Sequence, residues 1–153
     1  MTKSTWVRRA IFLNLIAALI FAASADGRSR SKSQFEYAGG TEPVPERCEG
    51  NLEITQTALV FECRESRVSV PYDSITLMEY RSKVSRQVRK MKLKWALKPP
   101  SGGSKHNLFF TVLYRVEGGT HAMVLKVPPE TMRPYLAEID LRVGRRVDVE
   151  RYY

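Results

Sequence analysis

The residues able to do chemistry in this chain are few: two cysteines, two histidines and a large excess of Lys and Arg. Cys48 and Cys63 flank a short hairpin whose turn is expected near Gln56-Thr57. Around that turn they lie within about one or two residues of facing register, because strand partners stand opposite one another. A disulfide there would close a loop of about 15 residues and contribute on the order of 3 kcal/mol. The alternative role, a metal ligand or reactive thiol, lacks support: neither Cys has a His nearby, and there is no C-x-x-C.

The histidines do not meet in this reading. With a turn at Gly118-Gly119, His121 lies opposite Arg115 or Val116. His106 falls at the far end of the same hairpin, tens of ångströms away at about 3.3 Å per strand residue. The spacing suggests no carboxylate pair and no Ser/His/Asp set. The expectation is therefore a protein that is not an enzyme, with no metal and no cofactor.

The positive charge is the feature that remains. Residues 81–105 carry Arg81, Lys83, Arg86, Arg89, Lys90, Lys92, Lys94, Lys98 and Lys105, and no Asp or Glu. In the middle, basic and apolar residues alternate as Lys90-Met91-Lys92-Leu93-Lys94-Trp95. As a strand, the lysines share one face while Met91, Leu93, Trp95 and Leu97 share the other. As a helix, Val84, Val88, Met91 and Trp95 align instead. Either way the element is basic on one side and apolar on the other. Arg81, Lys83, Arg86, Arg89, Lys90, Lys92, Lys94, Trp95 and Lys98 form the candidate contact set. Pro99-Pro100-Ser101-Gly102-Gly103-Ser104 reads as a loop.

The rest of the chain must position that set. Its 153 residues suit one domain plus some extra sequence. The net charge is +9, and a hydrophobic fraction of 43% excludes a wholly disordered polymer. Residues 1–25 combine Lys3, Arg8 and Arg9, an apolar run from Ala10 to Ala23, and the small-x-small sequence Ala23-Ser24-Ala25. These are the parts of a secretory signal peptide, cleaved near Ala25. The apolar run is shorter than the roughly 20 residues of a membrane span. Tethering through uncleaved residues 10–25 is the alternative. The expected location is secreted or periplasmic, and cleavage would leave 22 of the 25 basic residues against all 16 acidic ones. Residues 26–47 are polar, rich in Ser, Gly and Pro and without periodicity, and read as a flexible linker.

From Cys48 the pattern alternates. Strands are expected at 50–54, 58–62, 67–71, 75–81, 107–116 and 120–127, the last two joined through Glu117-Gly118-Gly119. Met132, Tyr135, Leu136, Ile139 and Val143 then recur at helical spacing, predicting a helix over about 131–143. Thr131 is its expected cap, Pro134 falls in its first turn and Gly144 closes it. Strands followed by one helix give an α+β, mainly β fold.

The order and local sequence resemble bacterial PH-like and GRAM-like domains. Gly50-Asn51-Leu52-Glu53-Ile54-Thr55 is similar to their G-x-L-x-I-T strand. Ala58-Leu59-Val60-Phe61 is similar to the L-x-F strand that follows. Val70-Pro71-Tyr72-Asp73-Ser74-Ile75 is similar to the V/I-P-Y-x-x-I corner. The resemblance covers residues 48–149, leaving 150–153 as a tail. It implies an antiparallel barrel or half-barrel of about six to seven strands, capped by the C-terminal helix. Members of this group bind lipids, peptides or proteins and are mostly cytoplasmic. Phosphoinositide recognition is not carried to any residue here.

The combined expectation is an exported, non-catalytic binding domain whose basic face contacts an anionic lipid surface, an acidic protein or a cell-wall polymer. No nucleic acid partner is expected if the chain is exported. A nucleic-acid-binding module is the alternative if the N-terminus is not an export signal. A small carrier of apolar ligands is a third class.

Overall fold

The computed structural model describes residues 35–101 and 108–150. The expected signal peptide and the alternative tether at 10–25 lie outside the described residues. So do the first part of the expected linker, Lys105 and His106.

Among the described residues eight strands form one sheet: β1 Phe35–Gly40, β2 Glu49–Ile54, β3 Ala58–Cys63, β4 Ser66–Pro71, β5 Ile75–Arg81, β6 Leu108–Val116, β7 Gly119–Val127 and β8 Asp148–Val149. Their spatial order is β4-β3-β2-β1-β7-β6-β5-β8, and the sheet does not close into a barrel. All neighbours are antiparallel except β5 and β8, which run parallel. A single turn of 3-10 helix at Tyr72–Ser74 leads into β5. A short helix α1 spans Arg86–Lys90, and α2 spans Pro129–Val143.

The alternating stretches become strands because each can bury one side. Leu52, Leu59, Phe61, Val68 and Val70 point into a core shared with Phe110, Val112, Met123 and Leu125. Helix α2 covers this face with the stripe of its apolar period: Met132 and Ile139 are fully buried, and Tyr135, Leu136 and Val143 pack beside them. Tyr135 meets Phe35 edge-on, with ring centroids 5.0 Å apart.

Three expectations change. Residues 35–40, read as linker, form a strand between β2 and β7. Their Ala, Gly and Tyr content hid a strand that both neighbouring strands and a buried Tyr37 stabilise. The basic run, open between strand and helix in the sequence, is a short helix at Arg86–Lys90 followed by extended chain outside the sheet, and β1 and β8 bring the strand count among the described residues to eight. Helix α2 begins two residues early, with Pro128 as its N-cap, Pro129 in the first turn and no side-chain cap from Thr131. Proline there is pre-set for a helix start. Pro134 therefore falls inside the helix rather than in its first turn. At the other end Gly144 adopts φ 67°, the left-handed conformation that closes helices. Beyond it β8 pairs with β5, and Glu150 accepts hydrogen bonds from the Ser82 N–H and hydroxyl at 2.7 Å.

The opposite face of β1, β7 and β6 is also covered. Ala38, Phe109, Leu113, Ala122 and Val124 form a second apolar cluster with Val84 and Val88, and with Leu77, Met91, Leu93 and Trp95 at its margin. The cover is the segment after β5: α1 first, capped by the Ser85 hydroxyl on the Val88 N–H, then extended chain. The chain is fastened where it crosses the end of β1. Gly40 donates to the Leu97 carbonyl at 2.8 Å, and its own carbonyl accepts from Ala96 and Leu97 at 3.0 and 3.1 Å. Gly39 permits this approach. A Cβ there would stand 2.7–2.8 Å from the backbone of Leu97 and Pro99.

Cys48 and Cys63 are joined by a disulfide, with Cα atoms 5.9 Å apart. Both are buried. Among the described residues no helix is long and apolar enough to cross a membrane.

Two outcomes follow for stability and docking. Cys48→Ser should lower unfolding stability by about 3 kcal/mol under oxidising conditions. After reduction parent and variant should unfold alike. Equal denaturation midpoints when oxidised would exclude a stabilising bridge. Gly39→Val should lift the segment around Leu97, since the crowded neighbours are backbone atoms. In a Trp6→Phe background, Trp95 emission should shift to the red while far-ultraviolet circular dichroism keeps its strand signal.

Candidate functional site

The alternation around Lys90 survives without a strand. Along Met91–Lys98, odd positions are half-buried and even positions exposed. An extended chain laid across a sheet keeps the two-residue side-chain period even without ladder hydrogen bonds. Met91, Leu93 and Trp95 reach the second cluster, and Leu97 packs against the main core. Lys92, Lys94 and Lys98 project away from both. Lys83, Arg86, Arg89 and Lys90 are exposed around α1.

The expected contact set divides on this geometry. Lys83, Arg86, Arg89, Lys90, Lys92, Lys94 and Lys98 are all exposed, and among the described residues none enters an ion pair. Arg81 differs: its guanidinium is paired with Asp148, and that hydrogen bond, ahead of the surrounding carboxylates, holds its pKa above the ordinary value. Trp95 is half-buried against the outer cluster and acts as an anchor for the run.

Beside Lys92 and Lys94 lies a polar group that the sequence reading did not assemble. The β6–β7 hairpin turns through Glu117 and Gly118, at φ 50° and 77°, the two-residue turn whose twist suits paired strands. Val116 pairs with Gly119, so His121 faces Tyr114 rather than Arg115 or Val116. The His121 and Tyr114 rings stack with centroids 5.5 Å apart.

Thr41 and Glu42, just past β1, complete the group. Glu42 Oε1 accepts from the Tyr114 hydroxyl at 2.9 Å and from His121 Nδ1 at 2.9 Å. The Thr41 hydroxyl accepts from the Ala122 N–H at 3.1 Å and lies 3.3 Å from His121 Nδ1. The Tyr37 hydroxyl donates to the Glu42 carbonyl at 3.3 Å. Burial, followed by the Glu42 carboxylate, raises the pKa of both Tyr37 and Tyr114. Both phenols therefore remain donors.

With Nδ1 engaged, His121 has one free ring nitrogen, Nε2. It sits near Gly119, where a Cβ would be 3.5 Å away. His121, Thr41, Thr120, Gly119, Lys92 and Lys94 line a cleft of about 470 Å³, with Val116 and Glu117 at the hairpin turn. Two lysines, two threonines and a histidine thus line one cleft. Donors of this kind recognise oxygen anions.

The sequence carried little signal for the group, since Glu42 and His121 are 79 residues apart. A one-residue error in the hairpin turn also moved His121 to the wrong partner. Among known proteins, no family model, no curated protein and no solved structure matches this chain.

Glu42→Ala should cost about 1–3 kcal/mol, because the buried Tyr114 hydroxyl loses its acceptor. Urea denaturation measures this. Tyr114→Phe together with Glu42→Ala should lose less than the sum of the single changes, because the two residues share one interaction.

Proposed function

We propose that this chain is an exported, non-catalytic binding domain of PH-like design, and that the basic run docks it on an anionic membrane surface. The observation that carries the reading is the display of the cations. Seven of them, from Lys83 to Lys98, are exposed and free of ion pairs among the described residues, while the apolar residues between them grip the sheet. Charges held on a rigid backing are pre-ordered, so docking costs less side-chain and backbone entropy than ordering a free tail.

A membrane suits this layout better than an acidic protein or a cell-wall polymer. The cations follow a short helix and then an extended line instead of ringing one complementary pocket. A diffuse negative surface rewards each of them separately, by about 1 kcal/mol per Lys or Arg. The disulfide supports export, since such bridges persist in oxidising compartments. The meander of antiparallel strands followed by one helix supports the PH-like reading.

Vesicle sedimentation tests the proposal. The chain should bind vesicles containing phosphatidylglycerol and ignore phosphatidylcholine, with affinity falling steeply as salt rises. Changing Lys90, Lys92 and Lys94 to Gln should weaken binding on the order of a hundredfold, about three such contributions at 1.4 kcal/mol per decade. Equal binding by parent and variant would remove the basic run from the contact. No vesicle binding at low salt would redirect the surface to an acidic protein or polymer.

A further inference from the structure

We propose that the cleft beside His121 is a proton-switched site for a small free molecule bearing a phosphate, carboxylate or similar oxyanion. Beyond surface docking, it assigns a half-open cleft to a small ligand and a condition for its occupancy.

Lys92 and Lys94 bring two positive charges to the cleft, and Glu117 brings one negative charge at its rim. Glu42 stands behind the His121 ring and adds a second negative charge, bound to Nδ1 at 2.9 Å. With His121 neutral, the four charges cancel. The other groups packed against the ring do not alter the balance: the Tyr114 and Tyr37 phenols stay protonated, and Thr41 is uncharged. Arg115, the strand partner of Thr120, is exposed and is not part of the lining.

Protonation changes both the charge and the hydrogen bonding. Neutral His121 that donates from Nδ1 to Glu42 presents a lone pair at Nε2, which repels an anionic oxygen. Imidazolium keeps the bond to Glu42 and turns Nε2 into a donor. The cleft then carries a net charge of about +1, and Nε2–H joins the Lys92, Lys94 and Thr120 side chains that line it as a donor to one anion.

The geometry leaves room for this. Gly119 has no side chain to cover Nε2, and its backbone conformation does not require glycine. A volume of about 470 Å³ exceeds one phosphate group and falls in the range of sites for small organic ligands. Val116 and the aliphatic stems of the lysines supply an apolar wall for the organic part.

Isothermal titration of the full chain with pyrophosphate and with 1,2-ethanedisulfonate tests the proposal. The second probe holds its charge across the pH range, so any pH dependence belongs to the protein. Ethanedisulfonate should bind about tenfold or more tightly at about pH 5.5 than at about pH 8. His121→Gln should abolish that difference. Lys92→Gln, an exposed substitution that leaves the core untouched, should weaken both probes at both pH values. Absence of binding of either probe at the lower pH would overturn the proposal. So would a pH dependence that survives in a folded His121→Gln protein. If that variant does not fold, unchanged affinity in Lys92→Gln has the same force. Lys90 and Lys98 lie outside the cleft, so changing those two to Gln should weaken vesicle binding and leave small-anion binding intact, which separates the two proposals.

Discussion

Strand β1 holds the molecule together. Among the described residues it is the only strand that joins the β2–β4 hairpins to the β5–β7 group, pairing with β2 on one side and β7 on the other. Its contact with β2 is short among the described residues, with Phe35 and Glu36 in register. Other bonds reinforce the seam: the Tyr37 N–H donates to the Cys48 carbonyl at 2.9 Å, and the Arg47 N–H to the Tyr37 carbonyl at 3.1 Å. The disulfide then ties Cys48 to the end of β3. Tyr37 stacks on Phe61 across the core, with centroids 6.0 Å apart. Backbone pairing and ring packing converge on the six residues of β1, and the disulfide ties the segment that flanks it to β3.

The same strand organises the surface. Its last two residues, Gly39 and Gly40, receive the basic segment. The two after them, Thr41 and Glu42, hold His121. The extended basic run and the polar cleft are therefore two consequences of one strand end. Gly39 permits the close backbone approach, and the chain that docks there carries Lys92 and Lys94 to the cleft. A shift at this point would disturb both features together, although they are distant in sequence.

The second apolar cluster explains why a run so rich in lysine is ordered. Charge repulsion among neighbouring cations favours an open chain, and side-chain entropy favours solvated lysines. Val84 and Val88 are almost completely buried on the outer face of the sheet, with Met91, Leu93 and Trp95 beside them. Each buried aliphatic side chain of this size contributes about 1.5–3 kcal/mol. That is enough to offset weak, screened repulsion between exposed ammonium groups. The lysines can therefore remain unpaired.

Much of the fold was legible locally. The period-two runs from Leu52 to Arg81, the closing hairpin, the stripe from Met132 to Val143 and the Cys48–Cys63 bridge all depend on near neighbours, and nearest-neighbour patterns survive in a one-dimensional string. The alternation of Lys and apolar residues also foretold which sides of the basic run would be exposed. It did not foretell what the apolar side would rest against. Strand β1 was hidden because its small residues earn their place only when two distant strands flank them. The Glu42–His121–Tyr114 group was hidden for a related reason: a hydrogen bond between residues 79 apart depends on strand order and on a one-residue choice of turn. Local periodicity decided the strands from β2 to β7, the helix face and the disulfide. Only the tertiary structure decided which loop end meets which strand, because that choice rests on packing across the sheet and on register, and neither is written in any single stretch of sequence.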